Sequence, residues 1–303
     1  DHRDLHSFPT RRSSDLQFLG EFLGTFLLVL FGCGSVAVSV LFVAHSGLFQ
    51  VAMAWGIGVL LAIYATRHLS CAHLNPAVSV AMVLGRRMSP RHLPAYLFGQ
   101  FLGAFLAAAV LYALFSGSIA AHEAREGIVR GTAASVRTAM MFGEFYPNPG
   151  TSPVAVVSFW GAFAAEAVGT FLLVLMIFAL TEGCNVGRPD SSLAPVFIGL
   201  TVTSIICLIA PLTQAGLNPA RDLGPRLFSC LAGWGVAAFP DDRGGFFWVY
   251  VLGPVCGGAL ASLLFVRVIE PAMGQEAVSA CGAGDGGSSC VVREDARGNG
   301  NAR

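Results

Sequence analysis

The chain contains no lysine. All 18 of its basic residues are arginine, scattered through short loops and balanced by 18 acidic residues in a total of 303. A dispersed, neutral pattern offers no stripe that could track a phosphate backbone, which argues against nucleic-acid binding. Charge is scarce altogether, at 12% of residues against 54% hydrophobic, and long segments are apolar on every face. That composition belongs to a membrane chain. The eight cysteines, at 33, 71, 184, 207, 230, 256, 281 and 290, form no CxxC or Cys/His pattern. Neither a metal site nor a disulfide framework is expected; most read as small buried hydrophobes, and Cys281 and Cys290 as solvated thiols. No cofactor motif is present.

Residues 1–16, DHRDLHSFPTRRSSDL, are polar, lack a starting Met and carry no apolar core. They do not read as a signal peptide and are expected to be a non-native or disordered N-terminal segment. Residues 271–303 are Gly, Ser and charge, expected as a disordered cytoplasmic tail.

Between these ends, six runs are long and apolar enough to span a bilayer, near 17–43, 48–66, 93–115, 154–180, 193–210 and 245–269. A polar connector, 116–152, separates repeat one (17–115) from repeat two (153–270). GEFLGTFLLVLFGCG at 20–34 matches AEAVGTFLLVLMIFA at 165–179, and GQFLGAFLA at 99–107 matches GPVCGGALA at 253–261. Three spans is an odd number, so the second copy must enter the membrane from the opposite side and the repeats are inverted. Arg67, Arg86, Arg87 and Arg91 place their loops in the cytoplasm by the positive-inside rule, which puts the connector outside and both termini inside.

Each repeat also carries Leu-Asn-Pro-Ala, at 74–77 and 217–220. Each tetrapeptide opens an apolar stretch of only about ten residues, which at about 1.5 Å per residue reaches halfway through the hydrocarbon. Asn is a strong N-cap and Pro favours the first helical position, so Asn75, Pro76 and Ala77, and Asn218, Pro219 and Ala220, mark two half-helices that start inside the membrane. Irregular backbone at that depth must be covered by protein or line a cavity. If each Asn oxygen caps its own helix, its NH₂ is left free to donate into the space between them. Two donors at the positive ends of two helix dipoles suit a neutral, hydrogen-bonding solute and disfavour cations and protons. A single Asn-Pro is an ordinary helix-start signal; two at equivalent repeat positions point to a shared site.

These features resemble the major intrinsic protein family, the aquaporins and aquaglyceroporins, over about residues 17–270. The resemblance implies an all-α membrane protein with six transmembrane helices and two re-entrant half-helices, one pore per subunit, a homotetramer, and residence in the plasma or inner membrane. It also implies residue roles. Arg221 matches the arginine of the narrowest constriction, where a cation opposing the helix dipole at membrane depth otherwise needs a structural reason. Trp55, Ile206 and Ala215 match the other three filter positions. Asp222 resembles the glycerol-conducting branch, although a first-turn carboxylate also stabilises a helix and can pair with Arg226. Trp, Ile, Ala and Arg together look like the filter of plant nodulin-type members, which conduct glycerol and metalloid hydroxides. His73 matches a pore-bordering histidine and could equally brace its loop. Glu21 and Glu166, one per repeat inside apolar helices, match carboxylates that brace the loops before the half-helices.

The implied solutes are glycerol, water, urea or arsenite. The competing class is a secondary active transporter, which shares inverted repeats and would use Glu21 and Glu166 as coupling sites. An intramembrane enzyme fits less well, since no nucleophile and base pair at helical spacing near the two amides.

Overall fold

The computed structural model describes residues 10–44, 47–151, 153–239 and 245–273. Its main helices are α1 (Thr10–Phe42), α2 (Leu48–Thr66), the short α3 (Pro76–Leu84), α4 (Leu93–Glu126), α5 (Phe159–Thr181), α6 (Ala194–Thr213), the short α7 (Pro219–Ser229) and α8 (Gly245–Met273). Six are long and apolar enough to cross a membrane, and no strand occurs among the described residues. The protein is an all-α, multi-pass membrane protein with two half-helices.

Several boundaries differ from the sequence expectation. Helix α1 begins at Thr10, so part of the segment set aside at 1–16 continues the first span; no Gly or Pro lies between Thr10 and Gln17 to break it. Helix α4 takes residues 116–126 from the connector, because Ala-rich sequence sustains it until Gly127 ends it in the left-handed conformation at φ 63°. Helix α5 starts only at Phe159, where Ser158 caps it by accepting from Gly161 N at 3.1 Å. Helix α8 is α-helical over Gly253–Leu264 and widens into π turns on both sides. The first nine residues and the tail beyond Met273 lie outside the described residues. The cysteines also divide differently: Cys33 is buried, Cys71, Cys207 and Cys256 are exposed thiols, and Cys184 is disulfide-bonded.

Helix α1 packs on α4 and α5 on α8, the same pairing in each repeat, while α2 crosses α6 to join the repeats. That crossing is backbone to backbone. A methyl added at Gly56 would stand 2.6 Å from Gly199 O, and one at Gly199 would stand 2.5 Å from Gly56 O. Small residues allow such approach where lipid supplies no hydrophobic drive for helix association. Polarity runs from inside out: Glu21, Gln100, Glu166, Asp222 and Arg226 are fully buried, whereas Leu114, Leu208 and Leu260 are 60% or more exposed. Charged groups thus stay out of hydrocarbon and apolar ones face it.

Gly56→Leu is expected to destabilise the bundle by about 3 kcal/mol or more, the upper end for overpacking, because the added side chain meets the short, β-branched Thr203 and the Gly199 carbonyl. Thermal unfolding in detergent reads this; Gly183→Leu, with nothing within 4 Å of its added carbon, should leave the transition in place.

Candidate functional site at the junction of the half-helices

The two half-helices start as their sequences dictate. Asn75 accepts from Ala77 N at 2.8 Å, and Asn218 accepts from Ala220 N at 3.0 Å and Arg221 N at 3.2 Å. Pro76 and Pro219 occupy the first turn, where a missing N–H costs nothing. The side-chain amides are not wholly free, however. Asn75 Nδ2 donates to Leu217 O at 2.9 Å, and Asn218 Nδ2 donates to Leu74 O at 2.7 Å. Each amide therefore spends one hydrogen on the opposite loop and keeps one, since an NH₂ group carries two.

Those loops hold unusual backbone. Ala72, Leu74, Ala215 and Leu217 all have positive φ, from 49° to 62°, a conformation costing about 1–3 kcal/mol at a non-glycine residue unless its surroundings fix it. Two buried carboxylates do the fixing. Glu21 accepts from His73 N (2.9 Å), Leu74 N (2.7 Å), Ser70 Oγ (2.7 Å) and Gln100 Nε2 (2.7 Å). Glu166 accepts from Gly216 N (2.9 Å), Leu217 N (2.7 Å) and Thr213 Oγ1 (2.6 Å). Ser70, His73 and Leu74 in the first set correspond to Thr213, Gly216 and Leu217 in the second, Gln100 being an addition of the first repeat, and neither carboxylate lines the cavity described next.

A cavity of about 390 Å³ runs past the junction. Trp55, Ile206, Ala215 and Arg221 line it together with Asn75, Asn218 and His73. All four of the first group are 4% exposed or less. The Arg221 guanidinium carbon lies 4.0 Å from the centre of a Trp55 ring, a cation–π contact. The indole in turn occupies the space that a side chain at Gly32 would need. His73 Nδ1 faces Ser79 Oγ at 3.2 Å and its ring lies 4.8 Å from that of Tyr96, so the residue both borders the cavity and is held by its neighbours.

Asp222 does not reach the cavity. It receives Arg226 Nε at 3.1 Å and Nη2 at 2.6 Å, and Glu144 N at 2.8 Å. Arg226 Nη2 donates to Glu144 O at 2.5 Å, and Nη1 donates to Ala238 O. The buried pair thereby clamps the connector, and the clamped residue, Glu144, sets its own carboxylate against the Arg221 guanidinium with both side chains buried. Sequence reasoning missed Glu144, because a lone acidic residue in a polar connector ordinarily reads as solvated.

More of the connector is sewn to the end of α6. The last carbonyls of a helix lack partners within it, and here Asn148 Nδ2 donates to Ala210 O (2.7 Å), Thr151 Oγ1 to Pro211 O (2.7 Å) and Asn148 N to Leu212 O (3.1 Å). At the other mouth, Arg67 Nη1 donates to Ser191 O at 3.2 Å and Arg87 pairs with Glu182 at 2.5 Å. Burial pushes the Glu182 carboxyl up, but Arg87 and the N–H of Cys184 outweigh it, so the group ionises below the ordinary carboxylate range.

Six spans around a buried cavity, with two half-helices meeting beside it, define a two-repeat membrane channel. Residues 10–265 match the family described as major intrinsic protein, and the chain belongs to that family. It is 42% identical over 252 residues to the glycerol uptake facilitator protein of Haemophilus influenzae, covering 83% of this chain and 92% of that one. Human aquaporin-9 is 38% identical over 253 residues, covering 83% and 82%. Among solved structures, the aquaglyceroporin from Plasmodium falciparum superposes with a TM-score of 0.75 at 28% identity, over 86% of this chain and 99% of that one.

Glu166→Gln replaces an acceptor facing two loop N–H groups by an amide that cannot satisfy both, at about 1–3 kcal/mol for each group left unpaired. Glu166→Gln and Glu21→Gln are each expected to lower the unfolding temperature and the yield of assembled protein, while the assembled fraction keeps its relative preference among solutes in liposome flux assays. A well-assembled variant with altered preference would contradict a bracing role.

Proposed function

We propose that the protein is a passive transmembrane channel for glycerol and similar small neutral solutes, with water, urea and metalloid hydroxides in the same class, and that it excludes protons and ions. The observation that carries this is the mixed lining of the buried cavity. Arg221 and the remaining amide hydrogens of Asn75 and Asn218 supply donors, and Trp55, Ile206 and Ala215 supply apolar surface. A polyol is amphipathic in the same way, with its hydroxyls accepting from the polar groups and its carbons sliding on the indole. Its relatives named as glycerol facilitators support the same reading.

Asn75 and Asn218 orient a passing oxygen so that its hydrogens point away along the channel. The half-helix N-termini and Arg221 oppose cations. Glu144, held by Asp222 and Arg226, fixes the guanidinium at the outer mouth so that it guards the aperture without closing it. Ala215 in place of a bulky residue and Ile206 opposite it reshape the filter, which bears on the choice between polyols and metalloid hydroxides. The transporter alternative requires Glu21 and Glu166 to bind coupling ions, whereas their oxygens are taken up by loop donors. The protein resides in the plasma or inner membrane with both termini cytoplasmic, and assembles as a homotetramer in keeping with its family.

Stopped-flow light scattering on proteoliposomes tests the assignment. Rapid reswelling in glycerol is expected. Trp55→Ala and Arg221→Ala should each change the glycerol rate several-fold, Arg221→Ala should in addition admit protons, and Glu144→Gln should act in the same direction as Arg221→Ala. Ala215→Phe should shift relative rates within the polyol and metalloid class. Fast osmotic water flow with no glycerol uptake would overturn the proposal.

A further inference from the structure

Gly32 sits in the interior of α1, where a glycine weakens a helix relative to alanine. What lies against it explains the choice. A methyl built on Gly32 would stand 2.1 Å from Cε3 and Cζ3 of Trp55 and 2.3 Å from Cδ2, so the six-membered ring of the indole rests on the bare backbone of α1. Gly34, two residues further on, gives the contrast: a methyl there would meet only Leu111 Cδ2, at 3.3 Å. Leu28, one turn before Gly32 on the same face of α1, lines the main cavity, whereas Gly32 does not. Between Gly32 and the cavity stands the indole.

Trp55 has little freedom to yield. It is buried, and the Arg221 guanidinium carbon lies 4.0 Å from its ring centre. Carbon atoms touch at about 3.5 Å, so a methyl at position 32 would drive the ring aside by more than about 1 Å. An indole is rigid and turns about only two side-chain bonds. Close-packed neighbours give way little, and the space open to the ring is the cavity that it lines. We propose that Gly32 is a positioning residue for selectivity: its missing side chain berths the Trp55 indole back from the aperture, which sets both the width left for a polyol's carbons and the seat of the ring on Arg221. Gly32 touches no solute and acts through the indole alone. The inference rests on the glycerol-channel reading above and on the place of Trp55 in its filter.

The test compares glycerol and osmotic water rates of the full chain in proteoliposomes. Gly32→Ala should lower the glycerol rate several-fold and the water rate less, because the larger solute meets the narrowing first, so the ratio of glycerol to water falls. Gly34→Ala should leave that ratio in place. In a Trp55→Ala background the added methyl has no ring to push, and Gly32→Ala should then move the ratio by less than about twofold, the non-additivity expected of two residues in contact. An assembled Gly32→Ala with an unchanged ratio, or an effect of equal size with and without the indole, would overturn the inference. Should Gly32→Ala fail to assemble, combining it with Trp55→Ala should restore assembly, and a double variant that also fails would overturn it as well. A chain that passes no glycerol at all overturns the glycerol reading and this inference together, whereas normal glycerol flow with an unmoved ratio removes this inference alone.

Discussion

Asn75 donates across the junction to Leu217 O while Asn218 donates back to Leu74 O, so each half-helix start is tied to the loop that leads into the other. At membrane depth no water is available to satisfy a stray carbonyl or N–H, and each one left open costs several kcal/mol. The crossed pair solves this for two carbonyls, and Glu21 and Glu166 solve it for four loop N–H groups. Everything nearer the cavity follows from that constraint. With the loops fixed, left-handed Leu74 and Leu217 are tolerable, the half-helix N-termini oppose each other, and Arg221 projects from a first turn whose position is set.

The outer mouth is built by the same logic with a different strand of chain. The end of α6 leaves the Pro211 and Leu212 carbonyls open, and the connector closes them through Thr151 and Asn148, while Asn148 adds a second donor to the Ala210 carbonyl that already accepts from Gln214 N. Having been brought there, the connector is gripped by the Asp222–Arg226 pair and presents Glu144 to Arg221. A fully buried ion pair is a poor source of stability in itself. Here it serves position, holding the Glu144 carboxylate against the guanidinium in the cavity wall. Asp222 itself does not line the cavity; its partners are Arg226 and the connector.

Much of this was legible in the sequence, and the reasons are local. The half-helix starts could be read to the residue because Asn and Pro determine cap and first turn through nearest-neighbour chemistry. Span α2 was bounded by loop residues at both ends and came out at its expected limits. The helix ends set by tertiary context were not legible: α4 ran on into the connector because nothing local stopped it before Gly127. The free NH₂ expected of each Asn was half wrong, since its partner is a carbonyl 142 or 144 residues away. Glu144 and Gly32 escaped for the same reason. Their importance lies in what a distant segment places against them, Arg221 in one case and the Trp55 indole in the other.

On the proposed reading, two fixed amides and one fixed guanidinium suffice for selective passage of neutral solutes. Measuring glycerol flux in proteoliposomes against the glycerol gradient, with and without imposed proton and voltage gradients, tests this most directly. Flux that stays proportional to the gradient and is unchanged by either imposed force is the predicted result. Saturation at modest glycerol concentration, or acceleration by a proton gradient, would contradict it.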